Sequence, residues 1–352
     1  MPLVLGVETS CDETAASVVE DGHCVRSSVV ATQIDIHRKY GGVVPELASR
    51  NHIVDIVPVI EEAVAQAGTT LSDLDAIAVT RGPGLVGALL VGLQVSKALA
   101  YAHKTPLVGV HHLAGHLHAV FLHRPEDPRP EGPQGAHVAL AVSGGHTALY
   151  RVEAPGGAIT QIANTRDDAA GEAFDKVSRM LGLGYPGGPV IEKLARDGDP
   201  TAHKFTRARF KSGALDFSFS GLKTAVRTVI QRLPALPEGQ ALADLVASFQ
   251  AAAVDQLVDR TVKAARAQGV TDVVLAGGVA CNGVLRERLK AELEDRDITL
   301  HVPPPRWCTD NAAMIAGAGW RGAEARLGTG HRVTDRQMNA TSNWPLSQYS
   351  PT

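Results

Sequence analysis

Cysteine is scarce: four residues in 352, Cys11, Cys24, Cys281 and Cys308, with no Cys-x-x-Cys spacing. That excludes a disulfide framework, and the four read as reduced thiols of a cytosolic protein. Long apolar runs are absent too. None approaches the ~20 residues of a membrane span, and Leu3 to Val7 opens the chain without a basic leader, so neither export nor membrane insertion is indicated and a cytoplasmic location is expected. Neither sign of charge dominates, with 34 Lys and Arg against 37 Asp and Glu and a net charge of −3. A protein coated in basic surface is excluded, while a local basic patch able to hold nucleic acid is not.

A Walker A sequence is also missing, and the glycine motif that is present is incomplete. Gly82-Pro83-Gly84-Leu85-Val86-Gly87 has dinucleotide-binding spacing between a strand and a helix. No Asp or Glu occurs from Ala76 through Pro125, so the acid that would grip a nicotinamide cofactor's ribose is lacking.

The length exceeds one comfortable core, so two domains are expected, and 44% hydrophobic with 20% charged residues describes an ordinary globular α/β protein. A device occurs twice. Leu3 to Val7 breaks into the polar loop Glu8-Thr9-Ser10-Cys11-Asp12-Glu13-Thr14 and resumes as Ala15 to Val19. Val138 to Val142 breaks into Ser143-Gly144-Gly145-His146-Thr147 and resumes as Ala148 to Val152. Each pattern predicts a hairpin with a functional loop. The proline-rich stretch Arg124 to Pro133 between them marks a boundary. The expected division is 1–133, 134–325 with a helical insert at about 160–235, and a segment 326–352 packing back on the first unit. Strands at Ala76 to Val79, Leu107 to Val110 and Val273 to Leu275, with helices at Leu85 to Ala102 and from about Asn282, predict parallel sheet with crossover helices.

Chemistry concentrates in Val110-His111-His112-Leu113-Ala114-Gly115-His116, where His112 and His116 are four apart and share a helical face. Such a pair supplies two imidazoles to one ion from a rigid element. In a zincin protease the residue after the first His is Glu; here it is Leu113, so metal binding is expected and that proteolysis is not. Asp310, just before the small-residue helix from Ala312, is the candidate third ligand, with a helix N-cap as its ordinary alternative. Small turns at Ser143-Gly144-Gly145, Gly187-Gly188-Pro189 and Gly277-Gly278 let backbone N–H groups approach phosphate oxygens, which favours a nucleotide-like ligand. Glu8, Asp12 and Glu13 cluster in one loop, where they could orient substrate or remove a proton.

These residues fall into a known pattern. The segments Glu8 to Thr14, Gly41 to Glu46, Gly82 to Leu85, His112 to His116, Val142 to Thr147, Ala170 to Asp175, Phe217 to Thr224 and Cys308 to Asn311 together resemble the bacterial tRNA threonylcarbamoyladenosine transferase family, once labelled O-sialoglycoprotein endopeptidase. The resemblance runs from about Leu3 to the helix after Asp310. It implies an actin-like and hexokinase-like fold, two related α/β lobes facing across a cleft. It implies that His112, His116 and Asp310 bind one divalent metal, usually assigned as iron, with zinc the alternative. A threonylcarbamoyl-adenylate would bind on Ala141, Val142, Ser143, Gly144 and Gly145 together with Asp175, Gly188, Glu192 and Asn282.

The implied reaction is acyl transfer from that adenylate to N6 of the adenosine 3′ of the anticodon, in tRNAs reading codons that begin with A, giving threonylcarbamoyladenosine and AMP. Asp12 or Glu13 could assist proton removal. For tRNA, Lys204, Arg207, Arg209 and Lys211 interleave with Phe205 and Phe210 and precede Lys223 and Arg227, so they could neutralise phosphates. The resemblance also implies a related non-catalytic partner subunit and a small ATPase, and no membrane. Two other readings share these features, a metal-dependent glycoprotease and an actin-fold ATPase. The first needs a base where Leu113 stands, and the second needs no His-x-x-x-His metal site.

Overall fold

The computed structural model describes residues 1–206, 208, 210, 213–328 and 337–349. Two five-stranded sheets organise it. The first contains β1 (Leu3–Glu8), β2 (Glu13–Glu20), β3 (Cys24–Thr32), β4 (Ala76–Gly82) and β5 (Leu107–His111), in the order β3-β2-β1-β4-β5. The second contains β6 (His137–Val142), β7 (Thr147–Val152), β8 (Ile159–Asn164), β9 (Asp272–Ala276) and β10 (Thr299–His301), in the order β10-β9-β6-β7-β8. Read from the third strand inward, the two orders are one topology. In each sheet the first strand pairs antiparallel with the second and parallel with the fourth. The doubled hairpin in the sequence is therefore a doubled fold, two halves of one topology.

Burial on both faces explains the composition of the central strands. On β1, Leu5 and Val7 face a core shared with Ile56, Ile60 and Leu93 of the helices Pro45–Gln66 and Val86–His103. Val4 faces Ala313, Ile315 and Ala316 on the other side. On β6, Val138, Leu140 and Val142 face Phe174, Ile191, Phe249 and Leu285 from four helices, Ala170–Met180, Gly187–Ala195, Gly239–Gln268 and Gly283–Glu294. Ala139 and Ala141 point the other way, toward Leu113 and Leu117 of the short helix His112–His118. Small residues on that face let the histidine-bearing helix wedge between the sheets.

Two placements differ from the sequence reading. The helix Ala312–Gly328, expected with the second unit, lies on the first sheet. Its approach is set by Gly6, where any Cβ would come within 2.1 Å of the Ala312 carbonyl. The helix Gly239–Gln268 was not expected. By length and composition it could cross a membrane, yet 67% of its apolar window is buried within the protein, as a core helix is. After the undescribed stretch, Met338 packs on the first core, and the Trp344 carbonyl lies 2.8 Å from Nε2 of His111.

Candidate active site

In open parallel sheets ligands gather beyond the carboxyl ends of the strands. In both sheets the candidate residues lie at those ends. β5 ends at His111, and the histidine helix starts on the next residue. The His111 Nδ1 caps that helix by accepting the Leu113 N–H at 3.1 Å, while Nε2 donates to the Trp344 carbonyl. Burial keeps this ring neutral, pushing its pKa down to about 3. One turn on, His112 and His116 are both buried and meet edge to face, with ring centroids 4.7 Å apart.

Asp310 joins them from the far side of the sequence. Its Oδ1 lies 3.1 Å from His116 Nε2 and 3.6 Å from His112 Nε2. The N-cap alternative for Asp310 fails, because Asn311 takes that role and accepts the Met314 N–H at 2.9 Å. Asp310 is thus released for the cluster. The three donor atoms lie within 4.8 Å of one another and could hold a metal ion. Donors on an ion with bonds of about 2.1 Å stand roughly 3–3.5 Å apart, so the cluster matches within small side-chain adjustments. Nδ1 of buried His116 lacks a hydrogen-bond partner among the described residues, and Nε2 faces the Asp310 carboxylate, an arrangement that leaves Nε2 placed for coordination beside that oxygen. Two imidazoles with one carboxylate suit iron(II) or zinc and leave coordination positions open.

The charges are arranged to match. Burial alone would push the His112 pKa down, but Asp310 and Glu8 outweigh it and hold it up to about 9. Burial would raise Asp310, and the imidazoles of His112 and His116 instead pull it well below the usual carboxylate range. Without an ion, the site stores a proton on His112 against these carboxylates.

Around the cluster lies the loop after β1. Glu13 is pushed up to about 10, first by burial and then by the charges of Asp310 and Asp12, so it keeps its proton at neutral pH and hydrogen-bonds to Asp12. The loop is braced from below. His52 bridges the Thr14 hydroxyl at 2.7 Å and the Cys11 carbonyl at 3.0 Å. Of the three carboxylates grouped in the sequence reading, Asp12 and Glu13 face this region, while Glu8 turns to His112.

The second sheet brings its turns to the same place. In the turn after β6, Ser143 closes on the His146 carbonyl at 2.8 Å. Gly171, starting the helix Ala170–Met180, touches that turn so closely that a Cβ would come within 2.7 Å of the Ser143 carbonyl. Gly277, at φ +96, abuts the Val142 carbonyl at 2.4 Å in the same sense, so the turn after β9 is locked to the end of β6. At Gly144, Gly145, Gly188 and Gly278 a Cβ would meet nothing within 4 Å, which leaves open room beside backbone amides.

Asp175 accepts the Gly187 N–H at 2.7 Å, and Glu192 Oε1 accepts the Gly283 N–H at 2.9 Å. Burial and the nearby Asp12 raise the Asp175 pKa, which brings a residue of each half within electrostatic reach of the other. Asn282 spends its Oδ1 capping the helix at Leu285 and its Nδ2 on Gln250, so its first task is to hold the turn.

His146 joins the two sub-sites. Its ring centroid is 6.4 Å from that of His112, and burial with the neighbouring imidazoles lowers its pKa to about 4. The sequence reading assigned it no role. Its place immediately after the Ser143-Gly144-Gly145 turn was the available signal. In the basic patch, Lys204 and Arg227 are exposed, whereas Lys223 is ion-paired with Asp168 and so cannot serve phosphate freely. Arg207, Arg209 and Lys211 lie outside the described residues.

Two α/β halves of one topology, with a His/His/Asp cluster beside one and glycine turns on the other, define an actin-like protein. Solved structures share this fold: HypF from T. kodakarensis (TM-score 0.60, 15% identity, covering 96% of this chain and 49% of that one) and component A of (R)-2-hydroxyglutaryl-CoA dehydratase from Acidaminococcus fermentans (TM-score 0.50, 15% identity, covering 92% and 100%). Residues 24–317 match the model of the tRNA N6-adenosine threonylcarbamoyltransferase family. Proteins of that name are 59% identical in Symbiobacterium thermophilum, over 90% of this chain and 91% of the relative, and 54% identical in Syntrophobacter fumaroxidans, over 97% and 99%. The chain belongs to the tRNA N6-adenosine threonylcarbamoyltransferase family.

Proposed function

We propose that the cleft carries out the reaction for which its family is named, with the two halves dividing the work. The donor is a threonylcarbamoyl-adenylate and the acceptor is N6 of the adenosine 3′ of the anticodon, in tRNAs reading codons that begin with A. A C–N bond forms at the carbamoyl carbon, the bond from that carbon to the phosphate oxygen breaks, AMP leaves, and the amine loses a proton. Adenine's amine is a weak nucleophile, so positioning and charge stabilisation carry the rate.

His112, His116 and Asp310 are the residues that would hold a divalent ion, iron or zinc. When bound, such an ion supplies Lewis acidity toward the threonylcarbamoyl group. The amides of Gly144, Gly145, Gly188 and Gly278 would receive the adenylate phosphate, with Ala141, Val142 and Ser143 forming the strand end behind them. Asp175 and Glu192 would accept hydrogen bonds from the ribose, and Asn282 would keep the turn in place. Asp12 or Glu13 would accept the proton that leaves N6.

The observation that carries this reading is the closeness of the metal cluster to the glycine turn, His112 and His146 being 6.4 Å apart. The test is nucleoside mass analysis of tRNA incubated with the protein, threonine, bicarbonate, ATP and an adenylate-forming enzyme. Threonylcarbamoyladenosine is expected; its absence with all partners present overturns the reading.

A related partner subunit and a small ATPase would complete the assembly in the cytoplasm. Support comes from an exposed apolar face on two neighbouring helices, Ile53, Val54 and Val57 on one and Val86 and Leu90 on the other. Ile53→Asp should prevent co-elution with the partner subunit; unchanged co-elution counts against that face. Lys204 and Arg227 are exposed cations that could meet tRNA phosphates.

A further inference from the structure

We propose that Glu8 is the positioning residue of the His/His/Asp centre: its carboxylate holds the Nδ1 proton of His112 and so commits Nε2 to the metal position. The inference deepens the reading of that cluster as a metal centre and depends on it. Glu8 ends β1 and is 1% exposed. A carboxylate so deeply buried must be compensated, and three donors surround it. Oε1 accepts the Ser10 N–H at 2.5 Å, and Oε2 accepts the Thr80 hydroxyl at 2.6 Å. Oε2 also lies 3.1 Å from His112 Nδ1. An ionised carboxylate only accepts, so Nδ1 is the protonated nitrogen of this pair. The Ser10 hydroxyl, 3.2 Å from the same nitrogen, can turn its oxygen to share that proton.

The geometry is rigid because its supports are strands. Glu8 and Thr80 lie on the paired strands β1 and β4, and His112 follows β5, which pairs with β4. Glu8 approaches His112 from the side opposite Asp310, so it orients the ring without being a ligand. The two imidazoles are therefore not equivalent. His112 is fixed at Nδ1 by a charged hydrogen bond, whereas Nδ1 of His116 has no partner among the described residues, so no carboxylate stands behind that ring. A carboxylate behind a ligating imidazole orients the ring and raises its basicity, and losing one typically weakens metal binding 10–100-fold. The same carboxylate anchors the loop carrying Asp12 and Glu13 through Ser10, so it ties the placement of that loop to the placement of the metal ligand.

The experiment is chelator competition for Zn2+ and Co2+ on the full chain, comparing wild type with Glu8→Gln, Glu8→Asp and His116→Ala. Glu8→Gln should bind about 10–100-fold more weakly than wild type, with a shifted Co2+ absorption spectrum, and Glu8→Asp should fall between them. If His116→Ala loses the ion while Glu8→Gln binds as wild type does, the positioning role is overturned and the metal reading stands. If His116→Ala binds as wild type does, the metal reading itself fails. Should the Glu8 variants not fold, 15N NMR of Zn2+-loaded wild type gives the answer: a proton on His112 Nδ1 with Nε2 on the metal is expected, and coordination through Nδ1 overturns the proposal.

Discussion

The two sheets share one topology and opposite chemistry. At the strand ends of the first stand ionisable side chains, Glu8, Asp12, Glu13, His112 and His116; at those of the second stand turns of Ser143, Gly144, Gly145, Gly277 and Gly278, whose chemistry is backbone N–H. A duplicated scaffold fixes where a site can be, and the few residues beyond each strand decide what it can do. One half is built to hold charge, the other to receive it.

That contrast can be broken on either side. The largest effect is expected from His116→Ala, which should reduce threonylcarbamoyladenosine formation at least about a thousandfold and abolish stoichiometric metal while the circular dichroism spectrum stays native. Turnover near wild type would remove the metal from the reaction. Next comes pH. With its pKa raised from 6.5 to about 9, His112 stabilises the metal-free fold fully below pH 6.5, and this contribution is lost as pH rises through about 9. Metal must displace that proton, so apparent affinity should climb by up to about tenfold per pH unit toward pH 9 and then level, as read by chelator competition. Asp310, held low, contributes stability above its ordinary pKa of 3.8 that is lost on acidification below it.

On the second half, Gly171→Ala would drive a Cβ into the Ser143 carbonyl and shift the turn. It should cost about 1–3 kcal/mol in denaturant unfolding and raise the KM for the adenylate while leaving metal affinity alone. A parallel loss of metal would show that the halves are not separable. Smallest is Gly144→Ala, whose Cβ meets open space; stability should stay within about 0.5 kcal/mol while adenylate KM rises a few-fold, and an unchanged KM would place the phosphate elsewhere.

Much of this was legible beforehand because it is local. The hairpins follow from short apolar runs broken by polar turn residues, and the histidine pair from helical spacing, so β1 with β2, β6 with β7 and the shared face of His112 and His116 could be read directly. Asp310 was harder. Alone it could cap a helix or bind an ion, and only the presence of Asn311 in the capping position decides between them. Glu8 stood in a loop of acids, and nothing in its neighbours in sequence announces a partner 104 residues away. Lys223 looked free for phosphate until Asp168 was found beside it.

The sequence by itself determined seven of the ten strands, though not β3, β8 or β10, together with the doubled plan, the glycine turns and the imidazole pair, since each is encoded by residues within a few positions of one another. Only the tertiary structure decided which side of the molecule the Ala312–Gly328 helix covers and which acid serves His112. Those outcomes depend on packing between segments far apart in the chain, where a missing Cβ at Gly6 or a run of alanines on β6 sets how closely two elements approach. Such contacts belong to pairs of surfaces, and a linear pattern encodes only one surface at a time.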